Sequence, residues 1–153
     1  MSLLPTLLSP GRILLDVPAA SKDSLYEEIG ARLENTLSIP AKVIAASLQA
    51  REKLGSTGLG QGVAIPHGRI KTLKQAIGCF VRSRAPIPFG APDGMPVNLI
   101  FVLLVPEHAT ELHLQILSEL AHLLGDKSFR DQLATLSDAE AIYHLFSQTH
   151  ATN

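Results

Sequence analysis

The 153 residues carry thirteen Lys and Arg against fourteen Asp and Glu, a formal net charge of -1, with 46% hydrophobic and 18% charged residues. That length suits one ordinary domain whose core needs no disulfide or metal staple. The balance argues against a disordered tail, and the absence of any basic block argues against a nucleic-acid binder.

The opening MSLLPTLLSPGR has neither the basic start nor the long apolar run of a signal peptide. Ser21 or Asp23 caps a first helix, on which Leu25, Ile29 and Leu33 recur at helical spacing. A second helix runs through SIPAKVIAASLQARE, with Pro40 in its first turn, Val43, Ile44 and Leu48 inward, and Arg51 on its last turn. Gly55, Gly58, Gly60 and Gly62 follow as a loop with almost no side chains. Val63 to Ile65 reads as a short buried strand and Gln75 to Arg82 as another. Cys79, the only cysteine, sits in apolar AIGCFV, which predicts an inert core thiol and a reducing, cytoplasmic setting. FGAPDGMP punctuates the chain. VNLIFVLLVP then reads as a central strand covered on both faces. Its apolar stretch, Leu99 to Val105, is too short to span a bilayer, so no direct membrane insertion is expected. Thr110 caps a strongly apolar helix, TELHLQILSELAHLLGD, and a shorter helix follows from Ser128. SDAEAIYHLF closes the chain, with Ser137 and Glu140 spaced as a capping box. The interleaving predicts an α/β class: a single domain over residues 1–153, with a mixed β-sheet sandwiched between helices.

Glycine-rich loops can cradle phosphate, because bare backbone N–H groups approach an anion closely. Gly55 to Gly60 has Walker spacing, but Gln61 stands where the lysine belongs. Gly58, Gly60 and Gly62 give GxGxG between helix and strand, not the GxGxxG that leads from strand to helix in dinucleotide folds. A flexible turn remains the plain alternative. His67 follows a buried strand, with Pro66 stiffening the backbone before it and Gly68 leaving the ring approachable. A neutral imidazole there is a good nucleophile, and a surface histidine is the other reading. His113 falls in the first turn of the long helix, where the dipole disfavours a protonated ring. Leu117, Leu120 and Leu124 continue its face, so it is either a neutral hydrogen-bond donor at the sheet's end or a half-buried packing residue. His122 falls on the opposite side of that helix, and nothing recruits His144 or His150. His108, Glu111 and His113 match no zinc spacing, and GxSxG is absent. Arg51 is either a solvated helix-end cation or a phosphate clamp. Taken with His67, His113 and the loop amides of Ser56, Thr57 and Gly58, it makes a phosphoryl site: nucleophile, clamp, neutral donor and backbone cradle.

AREKLGSTGLGQGVAIPHG resembles the active-site signature of the enzyme IIA proteins of the bacterial phosphoenolpyruvate-dependent phosphotransferase system, in the mannitol/fructose-type family. PVNLIFVLLVPEHATELHLQILSELAHLLGD is similar to that family's second block, so the resemblance covers nearly the whole chain. REKLGST and LHLQILSELAHLL lean toward its nitrogen-regulatory enzyme IIA branch. The resemblance implies that His67 is phosphorylated, on Nε2, and that His113 and Arg51 are the accompanying active-site residues. It implies a histidine phosphocarrier protein as phosphoryl donor; no cofactor is expected, since nothing resembles a carboxylate pair for magnesium and such a transfer starts from an already activated phosphoryl group. It further implies control of regulatory target proteins by phosphorylation state, with potassium transport or a sensor kinase among the possible targets. A sugar-branch enzyme IIA passing phosphate to a IIB transporter domain, and a binding module with a vestigial site, are the alternatives. Leu59, Ile65 and Leu112 are the candidate apolar docking residues, with ordinary core packing as the other reading, more so for Ile65 than for Leu59.

Overall fold

In the computed structural model, which describes residues 4–108 and 110–148, helices cover both faces of a six-stranded mixed sheet. The chain runs α1 (Leu4–Leu7), a 3-10 turn (Pro10–Arg12), β1 (Ile13–Val17), α2 (Lys22–Leu37), α3 (Ala41–Glu52), β2 (Gly58–Gly60), β3 (Val63–Ala64), β4 (His67–Ile70), β5 (Ile77–Ile87), β6 (Val97–Pro106), α4 (Thr110–Leu124), α5 (Lys127–Thr135) and α6 (Ala139–Gln148). The strand order is β1-β5-β6-β3-β2, with β4 also on β6. β5 pairs antiparallel with β6, β2 pairs antiparallel with β3, and the other pairings are parallel.

The run VNLIFVLLVP becomes the central strand because alternate side chains point to opposite faces and both faces are apolar. Leu99, Phe101, Leu103 and Val105 join one core with Ile116, Leu120 and Leu124 of α4, Phe129 of α5 and Phe146 of α6. Ile100, Val102 and Leu104 join the other, with Leu25, Tyr26, Ile29 and Leu33 of α2 and Ile44 and Leu48 of α3. Cys79 is free and buried in that second core, and burial pushes its thiol up to about 12.

Local signals explain most boundaries. Ser21 caps α2, its side chain accepting from the Ser24 N–H. Pro40 stands just before α3 rather than within its first turn. On α3 the buried side is Ile44, Ala45 and Leu48, and Val43 is 44% exposed, outside that arc. β5 runs on past Arg82 to Ile87: its register against β6 is irregular between those two residues and pairing resumes with Ile87 opposite Val97, while Ser83 pairs with Val17 of β1. The expected capping box at the last helix is replaced: Asp138 Oδ2 accepts from the Ala141 N–H, one residue later than Ser137. The Thr110 side chain and His150 lie outside the described residues. No helix among the described residues is long and apolar enough to cross a membrane.

Candidate active site

The glycine segment is a hairpin rather than a loose loop. Gly58 pairs with Ala64 and Gly60 with Val63, and the turn is made by Gly60, Gln61 and Gly62 at φ of 91°, 59° and 79°. Glycine bears such positive values without strain. Gln61 is held there by its N–H to Asp93 Oδ2, 2.8 Å.

β3 and β4 are two parts of one edge. Both run parallel to β6 in the same register, Ala64 opposite Ile100 and His67 opposite Leu103. Pro66 interrupts them because it lacks an N–H, yet its carbonyl still accepts from Leu103 at 3.0 Å. His67 is therefore the first residue of a strand, not a loop residue beyond one. The room at Gly68 also serves a different purpose from the one expected. A Cβ there would lie 2.6 Å from Ser47 Oγ and 2.9 Å from the Ser47 carbonyl carbon, so the missing side chain lets α3 seat against β4. That seating brings Arg51, at the end of α3, to the His67 ring.

The ring's protonation follows from its partners. Nδ1 lies 2.9 Å from the Ile65 carbonyl oxygen, which can only accept, so Nδ1 carries the proton. Arg51 Nε–H donates to Nε2 at 3.2 Å, which is consistent with a lone pair on that nitrogen. Burial, with Arg51 and Arg69 nearby, holds the His67 pKa below its ordinary value, and the ring is neutral at neutral pH. Arg51 Nη1–H in turn donates to the Gly55 carbonyl, 2.9 Å.

His113 stands edge-on to His67, ring centroids 4.9 Å apart at 70°. It is only 7% exposed, and the face it shares runs through Ile116, Leu120 and Leu124, with Leu117 half-buried at the edge. Burial, then the nearby His67, Arg69 and Arg51, lower its pKa to about 4. Among the described residues its Nε2 is buried without a hydrogen-bond partner. His122 is exposed, as its place on the helix requires.

Two cavities flank the Arg51–His67 pair. One, about 300 Å³, is lined by Ser56, Thr57, Gly58 and Leu59. The other, about 410 Å³, is lined by Ser47, Leu54, Arg69 and His113. A larger cavity of about 760 Å³ opens between α4, α5 and α6 and touches none of these groups. The structure thus brings Arg51, His67 and His113 together. Ser56, Thr57 and Gly58 lie beside them, but two of the three amides expected to be free are engaged. Thr57 N–H donates to Glu52 Oε2 at 2.8 Å, and Gly58 N–H to Ser56 Oγ at 3.0 Å. Arg69 and Glu52 are site neighbours that sequence reasoning passed over. The signal for Arg69 was its position two residues after His67, on the same side of the strand. No group of three or more His, Cys, Asp or Glu fit to hold a metal occurs among the described residues.

A family model for the phosphoenolpyruvate-dependent sugar phosphotransferase system, EIIA 2, matches residues 6–149, and the chain belongs to that family. Its component acts in phosphoryl transfer. Within the family the chain is similar to the nitrogen regulatory protein of Pseudomonas aeruginosa, 45% identical over 143 residues, 93% of each chain. It is also similar to the crystal structure of nitrogen regulatory protein IIA-Ntr from Neisseria meningitidis, at 52% identity and a TM-score of 0.89, covering 95% of this chain and 99% of that one. A likeness of fold alone, at 22% identity and a TM-score of 0.74, extends to enzyme IIAMTL in its complex with phosphorylated enzyme IIBMTL from Escherichia coli, over 92% of this chain and 96% of that one.

Proposed function

We propose that the protein is a regulatory phosphocarrier that takes a phosphoryl group on Nε2 of His67 from the phosphohistidine of a histidine phosphocarrier protein. The observation that carries this is the state of the ring: neutral, its proton committed to the Ile65 carbonyl, and its lone pair on the nitrogen beside Arg51. In the transfer, the donor's N–P bond breaks as the Nε2–P bond forms. Nδ1 keeps its proton on Ile65, and a donor ring protonated on its other nitrogen leaves as neutral imidazole. Charge on the three equatorial oxygens makes positioning and electrostatics the main contributions. Arg51 Nε–H moves from Nε2 to a phosphoryl oxygen as Nε2 becomes bonded. The His113 nitrogen, neutral and otherwise unpartnered, donates to another when it carries its proton there. Ser56, Thr57 and Gly58 shape the wall beside the phosphoryl group, with their internal bonds keeping that wall rigid.

The donor docks on the apolar rim. Leu59 and Leu112 are exposed and Ile65 is buried, while Leu54, 83% exposed and lining the cavity beside His67, adds to the rim. Phosphorylation places about two negative charges in its middle, enough to change which partner the face accepts without refolding. The names of the relatives favour regulation of nitrogen metabolism over sugar uptake, and the setting is cytoplasmic. Regulatory targets, potassium transport or a sensor kinase among them, would read the two states. The sugar reading requires onward transfer to a IIB domain.

The test is intact-protein mass spectrometry after incubation with phosphoenolpyruvate, enzyme I and the histidine phosphocarrier. Wild type should gain one acid-labile phosphoryl group and His67→Ala none. Equal labelling of both would remove His67 from the chemistry, and transfer from His67 to a IIB domain would favour the sugar branch.

A further inference from the structure

Glu52 follows Arg51 on the last turn of α3. A carboxylate at a helix C-terminus opposes the dipole and is ordinarily solvated. Here the side chain is 8% exposed and its two oxygens take four hydrogen bonds. Oε2 accepts from the Thr57 N–H at 2.8 Å and from Lys22 Nζ at 3.2 Å. Oε1 accepts from Thr57 Oγ1 and from the Tyr26 hydroxyl, each at 2.7 Å. The start of α2, the end of α3 and the glycine segment thus meet at one carboxylate.

We infer that Glu52 is a positioning residue for the phosphoryl site: by pinning Thr57 it fixes the turn whose Gly55 carbonyl holds the Arg51 guanidinium against His67. The turn from Lys53 to Gly55 is otherwise closed by short-range backbone bonds, Lys53 N to Gln49 O, Leu54 N to Arg51 O and Gly55 N to Glu52 O, each 3.1 Å. Its far end has two side-chain anchors. One is Ser56 Oγ to the Phe89 carbonyl, 2.7 Å, a neutral pair. The other is the double, charge-assisted contact of Thr57 with Glu52, the stronger kind. Without it the Gly55 carbonyl is free to drift, and Arg51 loses the partner that orients its fork. The carboxylate also acts electrostatically on the His67 ring, against the cations Arg51 and Arg69. Its remaining bonds, to Lys22 and Tyr26, tie that arrangement to α2.

The inference rests on the reading of His67 as phosphoryl acceptor, and the test separates the two. In full-length Glu52→Gln, single-turnover transfer from the phosphorylated histidine phosphocarrier should slow by up to about 100-fold, with affinity for the donor unchanged. In the unphosphorylated variant the NMR signals of the His67 ring nitrogens and of Arg51 Nε should shift as their hydrogen bond loosens. Wild-type rates and wild-type ring signals in folded Glu52→Gln would overturn the inference. Should that variant fail to fold, Thr57→Val removes the hydroxyl donor and keeps the charge: shifted ring signals support the role, and unchanged ones refute it. If wild type accepts no phosphoryl group, the functional reading fails by itself, and the ring signals alone judge Glu52.

Discussion

The His113 ring is a residue kept at a cost to the fold. A buried polar atom without a partner costs about 1–3 kcal/mol, whereas an apolar group of similar size in its place costs little. His113→Leu should therefore raise stability by about 1 kcal/mol or more, read by chemical denaturation. The same change should slow phosphoryl transfer by about 100-fold or more, the usual effect of losing one oxyanion donor. A less stable protein with an unchanged rate would make His113 a packing residue. At this scale part of the candidate site was legible. Arg51, His67 and His113 each stand out by residue type and local position, at a helix end, after a strand and in a helix's first turn, each with a plain alternative, and the structure sets the three side by side. Glu52 does not, because its setting is made by Lys22 and Tyr26, from a helix that only the tertiary fold brings beside it. Val43 misled for a related reason: which arc of α3 is covered depends on the sheet beneath it, not on the helix's own period.

The contact between α3 and β4 is the element-level device that builds the site. It exists because Gly68 has no side chain, so Gly68→Ala should push α3 away and carry Arg51 from His67. The expected loss is about 1–3 kcal/mol of stability together with slower transfer, and Ser47→Gly added to it should recover part of both. Equal rates in Gly68→Ala and wild type would show that the seating of α3 does not position Arg51. The long elements were readable because their periods are strong, as in VNLIFVLLVP and the helix that carries His113. β1 and α1 are too short for a period to register, and β2 is hidden because a strand of glycine and leucine looks like a turn. The amides beside it are not free donors either: Thr57 N–H goes to the Glu52 carboxylate and Gly58 N–H to the Ser56 hydroxyl. The pairing of β2 with β3 is non-local information, which neither propensity nor spacing carries.

Across the whole molecule, the two depressed histidines should make the fold acid-sensitive. Above the ordinary value of 6.5 both the folded and the unfolded chain hold His113 neutral. As pH falls below 6.5 the unfolded chain takes a proton that the folded one refuses until about 4, so stability declines over that window. His67, also lowered, acts in the same direction. Thermal denaturation from about pH 7 to about pH 5 should show a steeper fall for wild type than for His113→Leu, and parallel slopes would contradict the burial argument. Class and layering were legible here from the interleaved helices and strands and the doubly apolar central strand. Strand order and the common register of β3 and β4 were not, since both depend on which edges meet. The central claim is that the fold presents one particular nitrogen, and NMR of the phosphorylated protein tests it most directly by the ring nitrogen that couples to phosphorus. The account predicts a single phosphoryl group on Nε2 of His67, with Nδ1 still bonded to the Ile65 carbonyl. Phosphorus on Nδ1, or on any other residue, would contradict it.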